Sequence, residues 1–235
     1  MQIDLSKIEY TGEGWSDLKK EIWKQIIPGS VVIDVGCNRG WWMQSVNRLI
    51  PSNIEVFRIG VDPISYSDRD PNGNFQVFEH CAVGSENKEN VEFYIFNEPG
   101  CNSLLEPTEE LLNTEFVQTQ GNGPQPRKLM KTQKVPQRTL ESILVNNNVE
   151  SVFYVKTDCQ GTDLRVAESL GTFAGKVEYI EMEIGLNPES AFYHNSDIVQ
   201  HALDKLDEMG FEPFEYSFFP FSPLPEGELL FKRKQ

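Results

Sequence analysis

The segment VIDVGCNRG, residues 32–40, constrains the fold of this 235-residue chain more than any other stretch of its sequence. Its first four residues belong to a mostly apolar run over residues 31–35, and Gly36 follows this run. A second glycine, Gly40, stands directly before a helix that we predict over residues 41–49. A short apolar run closed by glycine is typical of a buried strand in a parallel sheet, where ligands lie beyond the carboxyl ends of the strands. The segment therefore predicts a strand, a ligand-binding turn and a helix.

Strands and helices alternate along most of the chain. Besides this first strand and helix, we predict strands over residues 56–61, 75–78, 91–96, 151–156 and 177–183, helices over 16–27, 162–170 and 197–209, a helical turn over 139–145, and closing antiparallel strands over 211–216 and 228–232. The alternation predicts a Rossmann-like α/β fold, with helices on both faces of a mostly parallel sheet that has an antiparallel C-terminal strand. We predict one domain over residues 1–235, with an N-terminal helical extension over residues 1–29.

Two segments lack helical or strand periodicity. Residues 114–134 are rich in Gln, Asn, Gly and Pro, which predicts an extended polar loop or flap. Residues 218–225 contain three Phe and three Pro. Exposed, they would form an apolar patch that serves as an acceptor lid or a homodimer contact, and buried they would be a packed crossover. The sequence leaves both interpretations open.

The charge balance excludes some partners. The chain has 21 Lys and Arg against 36 Asp and Glu, a formal net charge of −15. An acidic surface repels nucleic-acid backbones and anionic membranes, so we predict neither as a partner. No run is long and apolar enough for a membrane span, and the N-terminus lacks the apolar core of a signal peptide. The cysteines form no CxxC pair and are predicted to be free thiols, which favours a cytoplasmic location; they are Cys37, Cys81, Cys101 and Cys159.

The glycine spacing favours one cofactor class. Dinucleotide sites usually show GxGxxG, whereas Gly36 and Gly40 are spaced GxxxG, and Asp34 stands inside the strand. This carboxylate would repel a pyrophosphate but suits the cationic methionyl part of S-adenosylmethionine, directly or through water. Asp62 ends the next strand, where an acidic group commonly meets a ribose diol. The predicted cofactor-binding residues are Asp34, Gly36, Cys37, Asn38, Gly40, Trp41, Asp62, Pro63, Cys81 and Ala82, the last two against adenine.

From about residue 32 to residue 216 the chain resembles the FkbM-type methyltransferases. The family's motifs resemble, in order, residues 32–42, the Asp62-Pro63 pair, and residues 82–84, 102–104 and 135–141. The resemblance implies the class I methyltransferase fold and S-adenosylmethionine-dependent O-methylation. It further implies an acceptor hydroxyl on a sugar, in a polysaccharide or signalling glycan, or on a small natural product.

The family's most specific motif, Lys-x-Asp-x-Glu-Gly-x-Glu, resembles KTDCQGTD at residues 156–163. Lys156, Asp158 and Gly161 match the motif. Gln160 and Asp163 stand where the family has glutamates, so this chain departs from the pattern at two positions.

Methyl transfer to an alcohol needs a nearby base, because a sugar hydroxyl is a weak acid. Asp158 is the first candidate, since it follows a strand on the side predicted for the cofactor. Glu183 ends the neighbouring strand, and His194 follows in a loop with a suitable ordinary pKa. Lys156 is predicted to orient Asp158 or to polarise an oxygen. Alternatively, Asp158 caps the next helix or holds the methionyl amine.

Other functions remain open at this stage. Asp158 and Glu183 would also suit a divalent cation, but no spacing demands a metal and we predict none. A nicotinamide-dependent oxidoreductase is an alternative, against which the missing GxGxxG counts. A non-catalytic module that only binds S-adenosylmethionine is another, suggested by Gln160. The expected partner is a sugar or small-molecule acceptor.

Overall fold

The chain folds around a central sheet. The computed structural model describes residues 16–64, 73–117, 124–185, 192–218 and 226–235. In these ranges the helices are α1 Asp17–Trp23, α2 Trp41–Val46, α3 Glu109–Leu112, α4 Leu140–Asn146, α5 Asp163–Glu168 and α6 Val199–Glu208. The strands are β1 Val31–Val35, β2 Phe57–Val61, β3 Val77–Glu79, β4 Ala82–Val83, β5 Lys88–Phe96, β6 Glu115–Val117, β7 Pro124–Pro126, β8 Leu129–Arg138, β9 Val152–Thr157, β10 Val177–Gly185, β11 Phe211–Phe218 and β12 Glu226–Arg233. Two short 3-10 helices span Pro99–Cys101 and Gly171–Lys176.

Seven strands form the central sheet in the order β11-β12-β10-β9-β1-β2-β3. Five of them, from β10 to β3, pair in parallel, whereas β12 runs antiparallel to both β10 and β11. This confirms the predicted mostly parallel sheet with an antiparallel C-terminal strand. The chain leaves β1 towards β2 and later returns to the other side of β1 as β9. Such a reversal opens a crevice at the carboxyl ends of the two strands.

Helices cover both faces of this sheet. Successive side chains of a strand point to opposite faces, so neighbouring residues of β1 pack against different helices. Ile33 of β1 belongs to the core that packs against α4, α5 and α6. Its neighbour Val32 belongs to a second core, formed with α1 and α2. Asp34 shares the face of Val32, and Lys156 lies opposite Asp34 in the β1–β9 register. Two charged residues therefore lie in the buried layer under α1 and α2.

A small sheet borders the crevice. It has the order β4-β8-β5, with β8 antiparallel to β5 and parallel to β4. Its inward side chains form a separate apolar cluster that includes Ala82, Phe93 and Val135, together with Ile64 from the segment after β2. The strand predicted over residues 91–96 is thus part of β5, outside the central sheet.

The predicted loop over residues 114–134 is wrong for most of its length. β6 and β7 pair with one another, and β8 begins at Leu129. The first six residues of β8 are all exposed. A strand with no buried face shows no apolar alternation, so only its backbone pairing with β5 identifies it.

The predicted helices occur, with shifted ends. Ser16 caps α1, its hydroxyl accepting a backbone hydrogen bond from the first turn. α6 begins at Val199 instead of residue 197. The reason is that the Asp197 carboxylate is turned towards Arg165, accepting its backbone N–H at 3.1 Å and pairing with its guanidinium at 3.3 Å.

Parts of three predictions lie outside the described residues. These are residues 1–15 of the N-terminal extension, residues 118–123 of the predicted flap and residues 219–225 of the Phe- and Pro-rich loop. Among the helices that are described, none combines the length and apolar character that crossing a bilayer requires.

Candidate functional site

A cleft opens at the carboxyl ends of β1, β2 and β9, where the crevice was expected. The small sheet and the segment after β5 form its other wall. We call it the first cleft, and it is lined by Val35, Gly36, Asn38, Val61, Asp62, Pro63, Cys81, Ala82, Val83, Phe93, Pro99, Gly100, Asn102, Leu104, Asp158, Cys159, Gln160 and Thr162. The motifs after β1, β2 and β9, distant in sequence, therefore meet in one place.

The turn after β1 requires glycine for a steric reason. Gly36 has a φ of +73°, and a Cβ there would lie 1.9 Å from the Asp158 carbonyl oxygen. The two strands come this close because Asp158 donates its backbone N–H to the Val35 carbonyl at 3.0 Å. Gly36 thus lets the ends of β1 and β9 meet at the floor of the first cleft.

Asp62 is held rigidly at one end of the cleft. Its Oδ2 accepts the backbone N–H of Asn38 at 2.9 Å, and its Oδ1 accepts that of Ile64 at 3.0 Å. The carboxylate is 9% exposed. Asn38 reaches it from the left-handed region, with a φ of +46°. The glycine turn and the end of β2 therefore orient one carboxylate together.

The wall opposite the glycine turn is apolar. Cys81, Ala82 and Val83 line it together with Phe93 and Leu104. Burial is the main cause that raises the pKa of the Cys81 thiol to about 12, so the thiol is neutral at pH 7. Phe93 and Leu104 were not predicted as site residues. The only signal for them was the motif at residues 102–104, because the small sheet's position cannot be derived from periodicity.

Asp34 is not among the residues that line the first cleft, although Gly36, which follows it closely in the chain, is. It is 1% exposed, and among the described residues neither of its carboxylate oxygens has a hydrogen-bond partner. Burial raises its pKa to about 7, opposed by the positive charge of Lys156 and reinforced by Asp158 and Asp62. A buried carboxyl with no partner is costly, so a donor or a cation beside Asp34 would stabilise it.

Asp158 and Glu183 form a carboxyl pair between β9 and β10. They are hydrogen-bonded to one another. Lys156 lies 2.9 Å from Asp158 Oδ2, and the Gln160 amide nitrogen lies 3.0 Å from Asp158 Oδ1 and 3.3 Å from Glu183 Oε2. The structure thus brings together three of the four predicted catalytic residues and adds Gln160.

The pKa values of the two carboxyls are shifted in opposite directions. Burial opposes the charge of Asp158, but Lys156 and the hydrogen bonds from its neighbours outweigh burial and lower its pKa to about 2. Burial and then the Asp158 charge raise the pKa of Glu183 well above its ordinary value. For Lys156, burial favours the neutral amine, yet Asp158 and Asp34 hold its pKa well above the usual range. Glu183 is therefore the more readily protonated member of the pair.

Beyond Gln160 the first cleft continues into a second cleft. It is lined by Gln160, Gly161, Asp163, Glu183, Ile184, Gly185, Phe192, Tyr193, Ser196, Asp197, Ile198 and Glu226. Gln160 is common to both clefts, and Glu183 faces the second. The carboxyl pair therefore stands between the predicted cofactor position and a separate concave surface with aromatic and acidic side chains.

The remaining predicted residues lie away from these linings. Trp41 is 59% exposed, with the Arg39 guanidinium 5.8 Å from its ring centroid. Trp42 instead packs with the core, its ring 5.7 Å from that of Tyr154. The His194 side chain is exposed, at a turn whose backbone is hydrogen-bonded to residue 106.

Cys37 and Gly40 shape the turn without facing the clefts. The Cys37 backbone N–H lies 3.3 Å from the Val61 carbonyl, and its side chain is buried. Gly40 has a φ of +71° and opens α2. No group of three or more His, Cys, Asp or Glu residues is arranged to hold a metal ion in the described part of the chain.

A seven-stranded α/β sheet with a glycine turn after β1 and a fixed carboxylate after β2 defines a nucleotide-binding, Rossmann-like domain. The chain belongs to the FkbM methyltransferase family: residues 34–213 match the family described as the Methyltransferase FkbM domain. The family resemblance drawn from the sequence is confirmed. The fold is accordingly the class I methyltransferase fold, in which β12 is the antiparallel strand.

The chain is similar to solved structures of methyltransferases at low identity. A putative rRNA methylase from Clostridium thermocellum has a TM-score of 0.47 and 11% identity, with 92% of each chain covered. Fibrillarin from Aeropyrum pernix, solved with S-adenosyl-L-methionine, has a TM-score of 0.45 and 10% identity, covering 87% of this chain and 67% of that one. TrmK from M. capricolum, solved with S-adenosyl-homocysteine, has a TM-score of 0.45 and 10% identity, covering 94% and 69%. These similarities are too low to assign a substrate to this chain. A comparison with curated proteins found no match.

Proposed function

We propose that the chain binds S-adenosylmethionine in the first cleft and transfers its methyl group to a hydroxyl of a sugar, a glycan or a small natural product. The observation that carries the proposal is the buried Asp34 carboxyl, which has no hydrogen-bond partner among the described residues. The methionyl amine of the cofactor is a cation of the kind this carboxyl lacks. Membership of a methyltransferase family supports the same cofactor.

The residues that line the first cleft suit the nucleoside part of S-adenosylmethionine. Asp62 is oriented by two backbone N–H groups, as a carboxylate that receives ribose hydroxyls needs to be. Ala82, Val83 and Phe93 supply an apolar wall for a flat base.

S-adenosylmethionine supplies a methyl group on a sulfonium, so an O–C bond replaces the C–S bond and the acceptor hydroxyl has to lose its proton. The Asp158–Glu183 pair is the group that receives this proton. Lys156 forms an ion pair with Asp158 beside this position. The second cleft, with Phe192 and Tyr193, is the surface for the acceptor. Aromatic rings beside acidic groups suit a neutral polyhydroxyl compound.

The same proposal includes one domain over residues 1–235 and a cytoplasmic location. Free cysteines support the location, since all four lie in the described ranges and none forms a disulfide. A homodimer is an expectation from the sequence alone, because its Phe- and Pro-rich loop lies outside the described residues.

Asp158→Asn and Glu183→Gln test the proton acceptor. Each change keeps the shape of the side chain and removes a carboxyl. We expect S-adenosylmethionine affinity, measured by calorimetry, to change less than about threefold, and transfer to fall by about 100- to 10,000-fold. Transfer is measured by mass spectrometry with a deuterated methyl donor across sugars, glycans and natural-product alcohols.

Asp204→Asn is the matched control, because Asp204 lies exposed on α6, away from both clefts. Parent-like turnover of both test variants would remove the carboxyl pair from the mechanism. Calorimetry with a nicotinamide dinucleotide separates the oxidoreductase alternative, since its binding in place of S-adenosylmethionine would overturn the cofactor assignment. Cofactor binding without transfer to any acceptor would instead indicate a binding module.

A further inference from the structure

Gln160 has an unusual backbone conformation for its residue type. Four non-glycine residues of the described chain have a positive φ. Three of them are asparagines, a residue type that tolerates the left-handed region, whereas Gln160 has a φ of +51°. Residues held in sparsely populated backbone conformations are frequent at functional sites. Its backbone conformation therefore makes Gln160 a candidate functional residue.

The Gln160 side chain lies between the two carboxyls. Its Nε2 is 3.0 Å from Asp158 Oδ1 and 3.3 Å from Glu183 Oε2. These acceptors fix the orientation of the amide, because an amide oxygen in this place would face carboxyl oxygens. On the other side, Gln160 Oε1 lies 3.3 Å from the Tyr193 hydroxyl, which donates to the Cys101 carbonyl at 2.7 Å.

The backbone of Gln160 is held as well. Its carbonyl accepts the Ser103 hydroxyl at 2.8 Å, which ties it to the segment that follows the small sheet. The adjacent Gly161 has a φ of +95°, and a Cβ there would lie 2.8 Å from the Ser196 hydroxyl oxygen. The position of the amide is therefore fixed from several elements and does not depend on the carboxyls alone.

We propose that Gln160 is a positioning residue whose amide donates one hydrogen to each carboxyl of the Asp158–Glu183 pair and so holds the two carboxyls in contact. The role rests on the proposed function, in which this pair receives the acceptor proton. An amide has two N–H donors and both are used here, so it neutralises no charge and adds no proton of its own. A carboxyl at position 160 would instead form a cluster of three acids.

The pKa values of the pair also depend on the charged groups of the elements packed around it. Both donor bonds favour the ionised form, so their loss raises the pH at which the pair titrates. Lys156 favours ionisation, whereas the neighbouring acids oppose it. The titratable groups facing the pair are Lys156, Asp34, Cys159, Asp163, Tyr193 and Glu226.

Gln160→Gly removes the amide at a position where glycine suits the backbone, so the variant is expected to fold. The carboxyl carbons of Asp158 and Glu183 are titrated by NMR in the parent and in the variant. We expect the apparent pKa of the pair to rise by about one unit when the two donors are lost. The acidic limb of kcat should move by the same amount, with kcat about tenfold lower.

Gln200→Ala is the matched control, because the Gln200 amide also donates to a carboxylate, Asp204 at 3.0 Å, but on the exposed face of α6. It should leave the titration of the pair unchanged. Gln160→Glu should raise the apparent pKa further, since it adds a third acid. Identical carboxyl titrations in the parent and in Gln160→Gly would overturn the role of Gln160. Absence of methyl transfer by the parent would overturn the proposed function, while the titration would still decide the role of Gln160.

Discussion

Asp34 is the residue at which stability and binding oppose one another. In the ligand-free protein it is an almost fully buried carboxyl without a hydrogen-bond partner among the described residues. Its pKa of about 7 lies far above the ordinary value of 3.8. The folded protein therefore holds a proton that the unfolded chain releases between pH 3.8 and 7. This group's contribution to stability consequently falls as the pH rises through that interval.

Asp34→Asn should stabilise the ligand-free protein and weaken cofactor binding. The asparagine cannot become charged, so the gain in the free energy of unfolding relative to the parent grows from pH 4 to pH 7 and then levels off, at no more than about 4 kcal/mol. Loss of the negative charge should lower S-adenosylmethionine affinity by about 10- to 100-fold. Urea unfolding at several pH values and calorimetry measure the two effects.

Asp17→Asn is the control, since the Asp17 side chain is 98% exposed and pairs only at the surface with Lys20. It should change neither quantity beyond about 0.5 kcal/mol. An Asp34→Asn protein with parent-like cofactor affinity would contradict the assignment of Asp34 to the methionyl amine.

At the scale of elements, α1 is attached to the sheet by a buried ionic cluster. The Lys19 amine lies 2.5 Å from Glu181 Oε1 and 2.9 Å from Glu228 Oε2. The Tyr154 hydroxyl donates to Glu181 Oε2 at 2.6 Å. The sequence predicted this helix, and Trp23 on it is fully buried. The buried lysine was not predicted, because adjacent lysines normally indicate a solvated face.

Lys19→Met should destabilise the protein strongly. Methionine fills much of the same volume but leaves Glu181 and Glu228 without their shared cation, at a cost of about 3 to 5 kcal/mol. The free energy of unfolding in urea at pH 7 measures the loss. Lys20→Met is a control from the next position, because Lys20 is exposed and should change stability by less than about 0.5 kcal/mol. Equal effects of the two substitutions would show that the cluster does not hold α1.

At the scale of the whole molecule, charge decides which acceptors can approach. The formal net charge is −15, and the second cleft is lined by four carboxyls, from Asp163, Glu183, Asp197 and Glu226. Binding to nucleic acid depends on basic groups that replace counterions along the phosphates. The surface therefore favours uncharged acceptors over polyanions.

We predict that the chain neither binds nor methylates RNA or DNA. Fluorescence anisotropy with labelled transfer RNA and duplex DNA should give no saturable binding at physiological salt, where even non-specific basic proteins bind with Kd of about 10⁻⁴ to 10⁻⁶ M. Mass spectrometry of the same nucleic acids should detect no added methyl group. Salt-sensitive binding with saturation would contradict the proposed acceptor class.

The strands of the central sheet could be predicted because both of their faces are buried. β1 and β9 are mostly apolar runs for that reason, and Asp34 and Asp158 stand near their ends. The same logic fails for β8, whose exposed first half has no apolar pattern. It also fails for Phe93, which reaches the first cleft through the placement of the small sheet.

Local sequence by itself determined the order of the strands and helices, the glycine turn at Gly36 and the carboxylates after the strands, because these depend on burial and backbone sterics over a few residues. Tertiary structure alone decided which carboxyls meet, how they share protons, and that Gln160 bridges them. Those properties depend on distances between segments far apart in the chain, and electrostatic and hydrogen-bond energies change steeply over a few ångströms. The tertiary structure also decided which side chains are exposed. Trp41 and Trp42 are neighbours in the chain, yet Trp41 lies at the surface and Trp42 packs against the core.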